Sequence, residues 1–553
     1  MLYDVVVVGS GISGLYAALY ARRSGLSVAL ICKSSPLRSN SAVASGGINA
    51  VLHSTRRDSY RDHIADTLRG ADELGRFSVV IPMVTGAEEV IRELSEMGVN
   101  FDRREDGEIA QRPFGGTNAS RTCYIADKTG AAITQTLLMQ CRKEGVNIFP
   151  GHVMLSIATF KEKLSGVILL RRRDSQVIAF ACKSLVLAAG GYAGIYRGHS
   201  TNSQESSGDA LAVALRAKMR LANMEFVQFH PTTLNGILIS EAARGEGAHI
   251  VDETGTRFTD ELATRDRLSR AIMEHRNAGH SVYLDFRHLG EELIEKKLPS
   301  ARKHALNGAG IDITTELLPI TPAAHYTMGG IWSRADTSTD IPGVFACGEC
   351  AYNGVHGANR LGGNSLLEAA YFGRVAGIEA ARVARKHEFQ PIDYAQVDRE
   401  SRYIGMILDG ENRFNINTMR RNLGNNLYVN AGIFRTHDSL ADALEYIHYL
   451  MKMSSGVCCV NKERSDNVEL LSILEFRNSL SVAEAMVMAA MAREESRGAH
   501  YRSDFPVRDD KHYKVDTILR RLAGTFLRIT FEGTVSAEWW HRIRRFFMHN
   551  KCM

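Results

Sequence analysis

Hydrophobic and polar positions follow two periods along this chain, and the change from one to the other marks its parts. Val5–Val8 is an unbroken β-branched run, the pattern of a strand buried on both faces. It leads directly into Gly9-Ser10-Gly11-Ile12-Ser13-Gly14, then an apolar, alanine-rich helical stretch from about Leu15 to Arg23, Gly25, and a second strand over Val28–Ile31. Two later runs repeat the strand-then-glycine pattern: Ser184–Leu187 before Gly190-Gly191, and Gly343–Ala346 before Gly348. They read as further strands of one sheet whose sequence is split by an insertion. Residues 229–327 are more charged and mixed, as a separate lobe is. After about residue 391 the period is helical, with Thr436–Ser439 offering caps to Leu440–Leu450 and a long apolar helix over Leu471–Arg493.

The first strand–turn–helix–strand unit is the context in which a GxGxxG fingerprint binds a dinucleotide. One glycine makes the turn, one admits the pyrophosphate, one packs helix on strand, and the phosphates meet the positive helix N-terminus. The acidic residue expected at the end of the second strand is replaced by Cys32-Lys33-Ser34. That argues against an ordinary NAD-dependent dehydrogenase and for FAD.

Composition narrows the class without naming a reaction. With 553 residues the chain is too long for a single core, so two to four domains are expected. Its 67 basic and 62 acidic residues leave a net charge of +5, spread along the chain, which gives no nucleic-acid signature. The richest apolar run, Ala485–Ala492, is far short of the roughly 18 to 20 residues of a membrane span. Met1–Val8 reads as a strand, so the expected address is cytoplasmic. The nine cysteines are scattered and expected to be reduced; Cys347-Gly-Glu-Cys350 lacks a second ligand pair and reads as core, so no metal site is expected. The terminal segment Trp539–Phe547 is aromatic and basic, suited either to packing or to docking a partner.

Several motifs occur in one order: the glycine fingerprint, Ser45-Gly46-Gly47-Ile48, Phe114-Gly115-Gly116, Phe229-His230-Pro231-Thr232, Glu241-Ala-Ala-Arg244-Gly-Glu-Gly, Arg265-Asp266, His325-Tyr-Thr-Met-Gly-Gly, His356-Gly-Ala-Asn-Arg360-Leu-Gly-Gly-Asn-Ser365-Leu366 and Glu495-Ser-Arg-Gly-Ala-His-Tyr501. Together, over about residues 3–510, the chain resembles the flavoprotein subunits of the succinate dehydrogenase/fumarate reductase family, to which L-aspartate oxidase is related. The resemblance implies an α/β fold with a Rossmann-like FAD-binding domain in two parts (1–228 and 328–390), an inserted α+β capping domain (229–327) and a C-terminal helical domain (391–553) bearing the basic aromatic tail.

It further implies interconversion of fumarate and succinate, with hydride transfer at flavin N5 and a proton delivered by an arginine. His230, Ser240, His325 and Arg360 match the residues that hold the substrate carboxylates, and Phe114 the aromatic residue beside the substrate. Arg265 matches the proton donor, and Glu241 with Arg244 its relay. Gly9, Gly11 and Gly14 are expected at the pyrophosphate, Lys33 near the adenosine ribose, and Gly46 and Gly47 near the isoalloxazine. Asp209 and Glu349 are expected as polar anchors, and Ser365 and Leu366 at a helix N-terminus facing the flavin N1/C2 edge.

Two departures refine the expectation. Aspartate oxidases usually carry a glutamate where Phe114 stands, so a substrate without an amino group is favoured. Many relatives link FAD covalently through the histidine of an Arg-Ser-His-Thr segment, which here reads Arg38-Ser39-Asn40-Ser41. Non-covalent FAD, and a bias toward fumarate reduction, follow. The implied partner is an iron–sulfur subunit that exchanges electrons with a quinone or thiol module, placing the chain at the cytoplasmic face of a membrane only indirectly. L-Aspartate oxidase and a non-catalytic flavoprotein are the competing readings, the latter disfavoured by the joint presence of His230, Glu241, Arg244, Arg265, His325 and Arg360.

Overall fold

A computed structural model describes residues 1–52, 58–522 and 527–533. The apolar N-terminal run forms β1 (Leu2–Val8), followed by α1 (Ile12–Arg23) and β2 (Val28–Ile31). A short helix, α2 (Asn40–Val43), precedes α3 (Thr129–Lys143), β3 (Asn147–Phe149), β4 (His152–Phe160), β5 (Lys163–Arg171) and β6 (Gln176–Leu187). The sheet order is β3-β2-β1-β6-β5-β4, parallel from β3 to β6 and antiparallel beyond. Val5–Val7 of β1 are fully buried, which is why this strand shows no alternation.

The tight turn after β1 depends on glycine. Gly9 has φ +113°, and a β-carbon there would stand 2.1 Å from the Ala188 carbonyl oxygen. A β-carbon on Gly14 would lie 1.9 Å from the Gly9 carbonyl oxygen, so Gly14 lets α1 press against the turn.

The second half of the chain's first part continues with α4 (Asp209–Arg216), β7 (Leu221–Ala222) and β8 (Val227–His230). Residues 234–320 then build their own apolar core around Ile250, Leu268, Ile272 and Leu284. This lobe carries α5 (Ala242–Gly245) and α6 (Arg265–Asn277). The chain leaves it through β9 (Ala323–Thr327), which pairs antiparallel with β8 and so forms the neck of the lobe. There follow β10 (Gly330–Trp332), β11 (Val344–Ala346), parallel to the end of β6, and β12 (Ala351–Tyr352). The long helix α7 (Asn364–Ala384) packs on α1.

The C-terminal part contains α8 (Tyr394–Asp409), α9 (Ile416–Asn430), α10 (His437–Ser454) and α11 (Val468–Ala492). Thr436 and Ser439 form a reciprocal capping box on α10. Beyond these helices the C-terminal part adds two strands that the helical pattern does not predict: β13 (Val515–Arg521) and β14 (Leu527–Gly533) complete a five-stranded sheet in the order β12-β10-β7-β13-β14. Ile518 and Leu519 are buried in it beside β7, and the β-branched Val515, Thr517 and Ile518 suit the pleat. The tail Trp539–Phe547 lies outside the described residues. Among the described residues no helix is long and apolar enough to cross a membrane.

Candidate active site

A cavity of about 810 Å³ runs between the first sheet and the inserted lobe, at the upper end of the size range of small-molecule sites. Gly9 and Gly11 line it where α1 begins, and Gly11 caps that helix without a side chain. Ser365 and Leu366 line it where α7 begins, again behind a glycine cap, Gly363. Two helix N-termini free of side-chain caps therefore open on one cavity. Their partial positive charges fit a diphosphate at one end and an electron-rich ring edge at the other, as FAD presents.

Lys33, Asp209 and Glu349 also line the cavity. Lys33 Nζ bonds Asp209 Oδ2 at 2.8 Å, so these two predicted residues form a pair. Glu349 Oε1 accepts the Thr327 N–H at 3.0 Å and its hydroxyl at 3.2 Å, and burial pushes this carboxyl up to about 7. Glu368, on α7, rises to about 8, by burial first and then by the nearby Glu349.

Three predicted cofactor residues do not line the cavity. Gly14 packs on the turn, as above. Gly46 lies against Phe114, whose ring would be 2.9 Å from a β-carbon there, and Gly47 (φ +138°) against Thr122. They shape the wall from behind, where only glycine fits. Arg112 reinforces that wall by donating to the Gly46 carbonyl.

The predicted substrate and proton-transfer residues converge at the neck of the lobe. Pairing of β8 with β9 brings His230 and His325 together, with ring centroids 5.0 Å apart. Burial first, then the Arg265 charge, holds both imidazoles well below their usual range, so both are neutral at pH 7. His325 Nδ1 meets the Thr201 hydroxyl at 2.7 Å, which orients the ring, and His325 lines the cavity. Ser240 accepts the Ala242 N–H at 3.2 Å, just ahead of the single turn that carries Arg244.

Arg265 opens α6, where the helix dipole alone disfavours a cation. Glu241 offsets this: its Oε2 accepts from Arg265 Nε at 2.8 Å and from a terminal nitrogen at 2.5 Å. Its other oxygen accepts the Gly115 N–H at 2.8 Å and faces Arg244 at 3.6 Å. Burial would raise this carboxyl, but the two guanidinia outweigh it and hold it near 2. Glu241 thus bridges Arg244 and Arg265 as a carboxylate. Two Arg244 nitrogens remain buried without a hydrogen-bond partner.

Arg360 lines the cavity, stacks over the Tyr326 ring at 4.2 Å and donates to Ser365 Oγ at 2.7 Å. Burial first, and Arg265 second, push it down to about 9.

Gln228 was not foreseen in sequence. Fully buried, its amide oxygen accepts from Arg265 at 3.1 Å and from Arg360 at 3.0 Å, so one acceptor fixes the spacing of two cations. Its position two residues before His230 on a strand was the available signal. With three guanidinia to one carboxylate, the array is suited to bind and polarise a small dianion in a water-poor cleft.

A family model described as FAD binding domain matches residues 4–366, and one described as fumarate reductase flavoprotein C-term matches residues 420–542. A succinate dehydrogenase flavoprotein subunit of Rickettsia bellii is 36% identical, covering 93% of this chain and 92% of its own. A fumarate reductase flavoprotein subunit of Mycobacterium tuberculosis is 34% identical over 97% and 98% of the two chains. A structure of E. coli quinol fumarate reductase superposes with a TM-score of 0.93 at 32% identity, covering 97% of each chain.

Proposed function

The chain belongs to the family of succinate dehydrogenase and fumarate reductase flavoprotein subunits, and from that premise we propose that its substrate is a C4 dicarboxylate, fumarate or succinate, handled at the His230–His325–Arg265–Arg360 cluster. It is a FAD-dependent oxidoreductase. The observation that carries the substrate reading is the pair of guanidinia set on one Gln228 oxygen beside two neutral imidazoles, at the edge of the cofactor cavity.

FAD, when bound, supplies the two-electron chemistry at the substrate carbon–carbon bond. Arg360, His230, His325 and the Ser240 hydroxyl hold the carboxylates. Neutral imidazoles can donate a hydrogen bond without adding charge. Arg265 delivers a proton from its guanidinium, a strongly basic group, so the proton has to be replaced at once. Glu241 touches Arg265 and faces Arg244, so the proton is replaced along that line. The neighbouring Phe114 is buried and apolar; with no carboxylate at that point to answer an ammonium group, L-aspartate is a poor fit. Electrons pass to or from an iron–sulfur partner subunit, which also supplies any contact with a membrane.

FAD is held without a covalent link, and fumarate reduction is the favoured direction. The Asn40 amide is tied to Asn202 at 2.6 Å and Ser206 at 2.9 Å, and its oxygen accepts the Ser203 N–H at 2.9 Å. An amide so placed has no nucleophilic nitrogen to bond a flavin methyl group.

Anaerobic assay of the flavin-loaded chain for fumarate reduction by reduced viologen, beside oxidation of L-aspartate, tests the reading. Fumarate turnover without aspartate oxidation supports it; aspartate turnover overturns it. Arg265→Ala is expected to retain FAD and lose turnover.

A further inference from the structure

The acidic residue missing from the end of β2 is replaced by a cluster assembled from elsewhere in the chain. Lys33 Nζ, at the cavity wall, bonds Asp209 Oδ2 and Glu475 Oε1, both at 2.8 Å, and the Glu205 carbonyl at 2.6 Å. Glu475 comes from α11, in the C-terminal helical part, and is 4% exposed. Its second oxygen accepts from Arg420 of α9 at 3.0 Å. Asn478, one turn along α11, donates to the other oxygen of Asp209 at 2.9 Å, and Ser479 to the Ser207 carbonyl at 3.4 Å. One face of α11 therefore fixes both the ammonium and the carboxylate that line this end of the cavity.

We propose that Glu475 is a positioning residue for FAD: it holds Lys33 and, with Asn478, Asp209 in the orientation that receives the dinucleotide, so that cofactor affinity depends on the docked C-terminal helices. Geometry is the ground. Lys33 has a long, freely rotating side chain, and a single partner would leave it several rotamers. Two carboxylates and a carbonyl on three sides leave one. Burial also requires the pair: an ammonium in the cavity wall without Glu475 has one carboxylate in place of two, and Arg420 keeps a buried charge with its carboxylate gone. The charges are tightly matched. Burial would lower the Lys33 pKa, yet Asp209 and then Glu475 raise it, while Lys33 lowers Asp209 against its own burial.

The inference rests on the assignment of Lys33 to the FAD site, and the test separates the two. FAD affinity of the full-length apo chain is measured by quenching of flavin fluorescence for the parent, Lys33→Met, Glu475→Gln, Glu475→Asp and the Lys33→Met/Glu475→Gln pair. A tenfold rise in the FAD dissociation constant for Glu475→Gln, equal to loss of a charged hydrogen bond, with recovery in Glu475→Asp, is expected. An effect of Lys33→Met with none from Glu475→Gln overturns the proposal and leaves Lys33 in the site. No effect from either overturns both. If Glu475→Gln does not fold, the double variant removes the pair as a unit: affinity equal to that of Lys33→Met supports action through Lys33, and a further loss overturns it.

Discussion

The backbone N–H of Gly115 donates to Glu241 Oε1 at 2.8 Å, and a β-carbon on Gly115 would stand 2.6 Å from that oxygen. The contact joins the two sides of the cleft, since Gly115 belongs to the first part of the chain and Glu241 to the inserted lobe. Gly115→Ala is expected to push the carboxylate off Arg265 and lower fumarate turnover by about 10²-fold, the effect of roughly an ångström of misplacement. FAD content is expected to stay at the parent level. Steady-state kinetics with flavin quantitation checks both; unchanged turnover removes Glu241 from the relay.

Gln228→Leu keeps the volume and takes away the oxygen shared by Arg265 and Arg360. Two buried cations then face each other with one acceptor fewer, at a cost of about 1–3 kcal/mol. The expected result is a 10- to 100-fold fall in kcat/KM for fumarate. Inhibition by a non-reducible dicarboxylate such as malonate reads ground-state binding, and it is expected to weaken in step.

Asn40 leads to a prediction about the cofactor itself. Acid precipitation of the flavin-loaded protein is expected to release all of the yellow colour to the supernatant. Flavin fluorescence on the denatured chain in a gel would overturn non-covalent binding.

Glu349 and Glu368 give the stability a pH dependence of definite sign. Burial raises their folded-state values to about 7 and about 8 from an ordinary 4.5. Above 4.5 the unfolded chain releases these protons while the folded chain keeps them, so stability falls as pH rises until about 8 and then levels. The Tm of the FAD-free chain is therefore expected to drop between pH 5 and 8. Glu368→Gln, which cannot ionise, is expected to shrink that drop; a parallel curve would show that Glu368 titrates at its ordinary value.

Much of this site is legible in the sequence, because its chemistry is concentrated in short runs. The Gly9–Gly14 turn obeys a local rule, since the close approach of Gly9 to Ala188 and of Gly14 to Gly9 permits no other residue. His230, Arg265, His325 and Arg360 stand in motifs whose order alone groups them. Gln228 and Glu475 escape such reading for a physical reason: each acts by a contact across the fold, 132 residues from Gln228 to Arg360 and 442 from Lys33 to Glu475. A polar residue on a strand or long helix carries no local sign that its partner is a distant cation. β13 escapes because Asp516, Thr517, Ile518 and Leu519 are buried in succession, polar residues among them, so the strand shows neither an apolar run nor an alternation.

β7 takes β13 as its neighbour, Leu221 opposite Leu519. At a synthesis rate of about 5–20 residues per second, β7 leaves the ribosome roughly 15–60 s before its partner exists. During that interval β7 has β10 alone to pair with, and its short length is what keeps the open edge from recruiting other strands. The five-stranded sheet is therefore completed only once residue 519 has been made, long after the strands at 2–187 that carry the cofactor turn in the other sheet.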